Sequence, residues 1–291
     1  MDTEFVRTFL KIVDTGSFIS AAKSLHLTQA AVSRRIRSLE EYMGCELFVR
    51  NRSGASLTAS GRRFLQYGVN IVQTLEHARY EVGIAPSFNG SLVVGGRFGL
   101  WQGLLIDWLD ILSTQLPQSQ IRALTGFEDG LMQSLVDGSM DIGIMYTPQH
   151  RPTLQVERLL EEELILVTTE KLAGNPPNPA NYVHVDWGPE FRSQLNVNLP
   201  ELSSPRVTVG ISWLGLQRIL QSGGSGYFPR RLVTELIQNK QLYSVEAAPS
   251  FKLPVYVVYP NHQENPLIST AIALLHQTTE SILNDTENQT A

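Results

Sequence analysis

The stretch Phe18-Ile-Ser-Ala-Ala-Lys-Ser-Leu-His-Leu-Thr-Gln-Ala-Ala-Val-Ser-Arg-Arg-Ile-Arg-Ser-Leu39 reads as two short amphipathic helices joined by a tight polar turn. Phe18, Ala21, Ala22 and Leu25 recur at spacings of three and four, so the first helix has one apolar stripe, and its two alanines permit close approach by a neighbour. Thr28 is suited to cap the second helix, which then starts near Gln29. Val32, Ile36, Leu39 and Met43 form the inward stripe of that helix, leaving Gln29, Ala30, Ser33, Arg34 and Arg37 on the outward face. Short residues at its leading end let such a helix sink into a major groove. Gln and Arg supply bidentate hydrogen bonds to adenine and guanine edges.

The chain continues Leu47-Phe-Val-Arg-Asn-Arg-Ser-Gly-Ala-Ser-Leu-Thr-Ala-Ser-Gly61. Apolar Leu47 to Val49 and Leu57 flank a basic turn containing Gly54, which predicts a short hairpin with Arg50 and Arg52 near its tip. A hairpin of that kind beside a groove-reading helix places guanidinium groups against phosphates or the neighbouring minor groove.

The first ninety residues thereby resemble the winged helix-turn-helix domain of LysR-type transcriptional regulators. The resemblance rests on Phe9-Leu10, Gly16-Ser17-Phe18, Ala21-Ala22, Leu27-Thr28-Gln29, Val32-Ser33, Ile36, Leu39-Glu40, Gly44, Leu47-Phe48, Arg50, Leu57-Thr58 and Gly61. It implies Gln29, Ser33 and Arg34 near base edges, with Ala30 beside them, Thr28 and Arg37 at the DNA backbone, and Arg50 and Arg52 in the wing. It further implies a homodimer or homotetramer on an operator with inverted half-sites, with contact to RNA polymerase.

Charge separates the two parts of the chain. The net charge is −5, yet residues 1–88 hold 11 Lys+Arg against 8 Asp+Glu, whereas the remainder holds 12 against 20. The basic field is therefore local to the amino-terminal part, and the acidic remainder discourages indiscriminate wrapping by nucleic acid. The single cysteine, Cys45, excludes an intramolecular disulfide framework and a cysteine-rich zinc site, and leaves a structural thiol and a redox-active one both open. The six histidines show no H-x-x-x-H or H-x-H spacing, so no metal site is expected. There is no Gly-x-Ser-x-Gly elbow, no phosphate loop at Gly223-Gly-Ser-Gly226, which reads as a turn, and no apolar run of membrane-spanning length. Together with an amino terminus lacking a basic, apolar leader, this favours a non-enzymatic protein of the cytoplasm without a cofactor or membrane partner.

Residues 58–85 predict one long helix whose apolar positions, Leu65, Val69, Val72, Leu75 and Val82, recur every three or four residues. Such a seam packs either on its own domain or against a second copy, and the family resemblance favours the second copy. Pro86 to Gly90 marks a hinge. From Ser91 the pattern changes to alternating strands and helices: strands at Leu92–Gly96, Gln120–Leu124, Asp141–Met145, Glu163–Thr168, Tyr182–Asp186, Arg206–Gly210, Gly226–Pro229 and Leu253–Tyr259, with helices at Leu100–Gln115, Gly130–Asp137, Trp213–Gln221 and Leu267–Leu283. Glu161 to Glu163 reads as a solvated edge before a strand, and Asn175–Pro179 and Asn284–Ala291 as low-complexity segments.

The expected fold class is α+β multidomain, with residues 1–59 as the winged helix-turn-helix, 60–88 as linker helix and hinge, and 89–291 as two α/β lobes. That half resembles periplasmic binding proteins and the effector domain of LysR-type regulators, with lobe I at 89–165 and 255–285 and lobe II at 166–254. Strand ends in such sheets face a common cleft. Its expected rim is Arg97, Phe98, Gly99, Leu100, Gly126, Phe127 and Tyr146 from lobe I, and Trp187, Ile211, Ser212, Trp213 and Tyr227 from lobe II. Helix amino termini at Gly99 and Ile211, with the Ser212 hydroxyl, suit a carboxylate, so the expected effector is a small anionic or aromatic metabolite. Arg97 serves either the ligand or an internal salt bridge, and Phe127, Trp187 and Trp213 serve either ligand or packing. A different class, a solute-binding or enzymatic α/β protein with an accessory helical domain, needs an export signal or catalytic constellation that the sequence does not display.

Overall fold

A computed structural model describes residues 2–51, 54–81, 88, 90–171, 178–261 and 265–288, without the side chains of residues 50, 51, 77, 79–81 and 282–288. The chain opens with α1 (Thr3–Thr15), α2 (Phe18–Ser24) and α3 (Gln29–Met43). Ser17 caps α2 and Thr28 caps α3 by accepting from the Ala31 N–H, while His26 takes the left-handed conformation that makes the intervening turn tight. The two stripes read from the sequence meet here. Phe18, Ala21, Ala22, Val32, Ile36 and Leu39 are buried with Val6, Phe9 and Leu10 of α1 in one core. Met43 departs from the expected stripe, because the helix ends at that residue and its side chain is exposed.

Strands β1 (Phe48–Asn51) and β2 (Gly54–Leu57) pair antiparallel with Asn51 opposite Gly54, which is the expected hairpin. The Glu40 carboxylate accepts from the N–H groups of Leu47 and Phe48, at 2.8 and 3.2 Å, and so fixes the wing to α3. Helix α4 (Ala59–Glu81) follows. Its Val69 and Val72 are buried in the core that α1 builds, so this part of the seam is satisfied within the chain; Val82, Pro86 and Asn89 of the expected seam and hinge lie outside the described residues.

The second half begins with β3 (Gly90–Gly96), a short turn α5 (Phe98–Leu100) and α6 (Ile106–Gln115). A single helix over Leu100–Gln115 does not form. Gln102 is extended and Gly103 has φ +63°, and these break it. Then come β4 (Ser119–Thr125), α7 (Glu128–Val136), β5 (Ile142–Met145), β6 (Leu154–Thr168), β7 (Val183–Val185), α8 (Pro189–Asn198), β8 (Val207–Val209), α9 (Ser212–Ser222), β9 (Ser225–Pro229), α10 (Arg230–Gln238), β10 (Tyr243–Ser244), β11 (Phe251–Pro260) and α11 (Pro266–Asn288). Helices α8 and α10 have no counterpart among the expected elements; α8 opens on Pro189, a residue favoured at a helix's first position, and Pro229 precedes α10. Helix α11 runs to Asn288, into the segment read as low-complexity, and Gly223 and Gly224 form the expected turn with positive φ. Among the described residues no helix is long and apolar enough to cross a membrane.

The main sheet runs β10-β6-β11-β5-β3-β4, with β9 also on β6, while β7 and β8 form a separate parallel pair. Parallel β3, β4 and β5 belong to lobe I, and β9 and β10 lie at the far end of β6 in lobe II. Strands β6 and β11 pair antiparallel along ten positions and connect the lobes. Glu161 to Glu163 therefore lies within a strand, not at a solvated edge before one. Glu162 is buried there: it accepts from the Arg231 Nε at 2.9 Å and from the Tyr146 hydroxyl at 3.0 Å. The alternation of a strand puts the middle carboxylate inside and leaves its neighbours to pair at the surface, Glu161 with Arg158 and Glu163 with Arg230.

Glu40→Ala strips the acceptor from two wing N–H groups and is expected to cost about 1–3 kcal/mol. Urea unfolding of the full chain measures it, and an unchanged midpoint would show that water replaces the carboxylate there.

Candidate nucleic-acid interface and ligand cleft

On α3, Thr28, Gln29, Ala30, Arg34 and Arg37 are exposed and Ser33 is half-buried, while Val32, Ile36 and Leu39 have no exposure. The outward face is thus the one derived from the stripe. Arg35 is turned away from it, bonded to Glu4 at 3.1 Å and to the Thr8 hydroxyl at 3.2 Å. Arg50 lies on β1 opposite Ala55, and its side chain, like the whole of Arg52, is outside the described residues. Cys45 is exposed and unbridged. Among the described residues no group of three His, Cys, Asp or Glu is placed to hold a metal.

Between the lobes lies a cleft of about 230 Å³. Nine of the residues expected on its rim line it: Arg97, Phe98, Gly99, Gly126, Phe127, Tyr146, Trp187, Ile211 and Ser212. Three do not. Leu100 is wholly buried in the core beneath, since it closes the α5 turn with its side chain inward. Tyr227 is wholly buried between Phe191 and Phe251, its hydroxyl donating to the Pro249 carbonyl. Trp213 stands 47 % exposed outside the lining, because α9 starts at Ser212 and turns the next residue outward. Thr125, beside Gly126 at a strand end that the sequence also puts on the rim, lines the wall too, and the structure adds Val185 and Gly210. Each ends a strand or sits one residue past one, which is the signal that would have found them.

The polar groups of the cleft differ in how far they are satisfied. Arg97 is not a free cation: it pairs with Glu128 at 3.3 Å and lies 4.8 Å from the centre of the Phe127 ring. Tyr146 meets Trp187 edge to face and donates to Glu162; burial, reinforced by that carboxylate, holds its phenol well above the usual value. Trp187 donates its indole N–H to the Tyr227 carbonyl at 3.0 Å. The Ser212 hydroxyl is buried in the wall without a hydrogen-bond partner among the described residues. It heads α9, whose first turn has no side-chain cap among the described residues, so its leading N–H groups are uncapped beside the cleft. Opposite, a Cβ added to Gly99 would meet the Ser212 hydroxyl at 2.9 Å, so glycine here lets the two lobes approach. The α5 turn is too short to act as a second anion-binding terminus.

Residues 3–62 match the family model of the bacterial regulatory helix-turn-helix protein, lysR family, and residues 86–280 that of the LysR substrate binding domain. The chain belongs to the LysR family. It is a helix-turn-helix transcriptional regulator with an effector-binding domain, a family of regulators and not of enzymes. This LysR-type chain is 29 % identical over 297 residues to the transcriptional regulator HdfR of Yersinia pestis, covering 98 % of this chain and 100 % of that one. HdfR of Yersinia enterocolitica is equally similar, 29 % over 282 residues, covering 92 % and 94 %. The fold is shared with full-length LysG of Corynebacterium glutamicum with bound effector Arg, at TM-score 0.61 and 16 % identity over 97 % of this chain and 99 % of that one. It is also shared with Vibrio fischeri DarR in complex with DNA, at TM-score 0.56 and 18 % identity over 95 % and 98 %.

The Tyr146 phenol has a folded pKa above its unfolded value of about 10, so its contribution to stability is whole below that pH and is lost as pH rises towards the folded value. Tyr146→Phe is expected to flatten the loss of unfolding free energy above about pH 10. Denaturant titrations of both proteins measure this, and equal slopes would mean that the phenol titrates as it does in water.

Proposed function

We propose that the chain regulates transcription by inserting α3 into the major groove, Gln29, Ser33 and Arg34 reading base edges while Thr28, Ala30 and Arg37 line the groove wall and backbone. Arg50 and Arg52 of the wing then take phosphate. The observation that carries this is the division of α3 into a fully buried Val32-Ile36-Leu39 stripe and a polar face whose Gln29, Ser33, Arg34 and Arg37 side chains make no bond among the described residues, with Arg35 withdrawn to α1. Residues 1–59 act as the reader, 60–88 pair two copies, and 89–291 carry the effector. Two readers held at fixed spacing need inverted half-sites. The assembly is a homodimer or homotetramer that meets RNA polymerase in the cytoplasm. DarR, of the same fold, is described in complex with DNA, which supports the docking.

The cleft receives a small metabolite with an anionic group. Ser212 and the first turn of α9 hold the anion, while Phe127, Trp187 and Phe98 hold an apolar or aromatic portion. Its volume exceeds a benzene-sized void of about 150 Å³ and falls short of drug-sized sites, which start near 300 Å³, so the ligand is a single ring or an amino acid in size. LysG with its arginine shows a ligand of this scale in a shared fold. Differential affinity of the ligand for two lobe arrangements then alters operator binding.

Band shifts on sequences selected from a random duplex library, across a salt series, test the reader. Specific binding is expected at roughly 10⁻⁸–10⁻¹¹ M, weakening steeply with salt. Arg34→Ala should cost about 1–3 kcal/mol on the selected site and relax one position, while Arg52→Ala weakens all sequences evenly. An Arg34→Ala protein with unchanged selectivity would remove α3 from base reading. For the cleft, thermal shifts with a panel of aromatic and amino-acid carboxylates should find one that raises the melting temperature of the full chain. Ser212→Ala should weaken it about tenfold, one lost hydrogen bond to a charged group, and equal affinity in that variant would place the anion elsewhere.

A further inference from the structure

Helix α7 touches the cleft at one end and the DNA-reading head at the other. At its start, Phe127 lines the cleft and Glu128 in the first turn holds Arg97. At its close, Gln133 accepts from the Lys11 ammonium at 2.9 Å, the Asp137 carboxylate lies 3.7 Å from the same ammonium, and the Asp137 carbonyl accepts from Arg7. Arg7, Lys11 and Asp14 recur at intervals of four and three, so they form one charged stripe of α1, distinct from the stripe that builds the head's core. Asp14 completes the junction with Arg151 of lobe I, at 3.0 Å. Lys11 and Asp14 are nearly closed to solvent, with side-chain exposures of 5 % and 8 %, so these charges have left water for this contact.

The packing beneath α7 suits a helix that shifts as a unit. Leu131, Met132 and Leu135 sit in a small cluster separate from the main core, with Met140 and Met145 beneath. Three of the chain's five methionines are therefore here, and methionine adapts to altered gaps more readily than branched side chains. The sheet presents glycines to the helix: a Cβ on Gly143 would meet Leu135 at 2.9 Å, and one on Gly95 would collide with Met140. The helix lies close to the sheet at these two glycines, and its length of about 13 Å separates the two sets of contacts.

We propose that α7 is the link through which the cleft governs the docking of the head: an anion that draws Arg97 away from Glu128 displaces α7, and Gln133 and Asp137 carry the displacement to Lys11 and Arg7. The biological input rests on the effector reading of the cleft, but the link itself is tested without a ligand. Hydrogen exchange of the full-length protein is followed in peptides covering α1 and, as a reference for overall stability, α11. Arg151→Gln, a change on lobe I that leaves the head's own core intact, is expected to raise α1 exchange about tenfold by undocking the head. Glu128→Gln, at the far end of α7, should raise it several-fold with α11 unchanged, and the double variant should match Arg151→Gln alone. If Glu128→Gln leaves α1 exchange as it was while Arg151→Gln raises it, or if the two effects add, docking and cleft are independent and the proposal is overturned. An Arg151→Gln protein with unaltered α1 exchange overturns it too, by showing no docked head. None of these results bears on whether the cleft binds an anion, which the thermal shifts decide separately.

Discussion

The two antiparallel strands β6 and β11 are the constraint from which the rest of the effector half follows. They lie inside the main sheet and are common to both lobes, paired over ten positions, with a register shift between Val255 and Tyr256. Any change in lobe angle must bend or twist this ladder, because its hydrogen bonds are short-range and directional while the apolar contacts across the cleft are not. The buried Glu162 belongs to this ladder. Its two partners come from different places, Tyr146 from the end of β5 and Arg231 from α10, and Arg231 also donates to the carbonyls of Gly99 and Gln102 in lobe I. One carboxylate therefore joins the cleft wall, the crossing strands and both lobes. Removing it would leave the buried Tyr146 phenol without its acceptor and Arg231 with the Gly99 and Gln102 carbonyls alone, which is costlier than losing a surface pair.

The amino-terminal domain was almost fully legible in the residues. Period-3.6 stripes in α2 and α3, a hydroxyl cap at Thr28 and a Gly-containing basic turn are local features, and local physics specifies them. Met43 was misjudged because a stripe continues only as long as its helix does, and Gly44 ends that helix in the left-handed conformation. The seam of α4 was legible in its period, and the structure shows the cover of part of it. Periodicity says that a face is covered, never by what, and Val69 and Val72 are covered by α1.

The effector half was legible in its strands and less so in its helices. Buried parallel strands such as β3 and β5 announce themselves as continuous apolar runs between glycines. The break at Gln102 and Gly103 was hidden because the apolar residues on either side keep helical spacing across it. The Glu161-Glu162-Glu163 run looked like surface since three successive carboxylates usually are, and only the three-dimensional arrival of Arg231 and Tyr146 makes the middle one an interior group. The rim residues followed from one rule, that ligands sit beyond strand ends; it placed Trp187 and Ser212 well, while it could not tell Leu100 and Tyr227, turned into the core, from neighbours turned to the cleft.

Lobe II leaves lobe I along β6 and returns along β11, so its two points of attachment are adjacent rungs of a single ladder. An insert whose entry and exit lie side by side can be exchanged without re-routing the chain on either side. The wall carrying Trp187, Ile211 and Ser212 belongs wholly to that insert, whereas α3 and its partners do not. One wall of the cleft and the helix-turn-helix are thus carried by separable segments of the chain, and a graft of lobe II between sister proteins would exchange that wall while leaving the helix-turn-helix untouched.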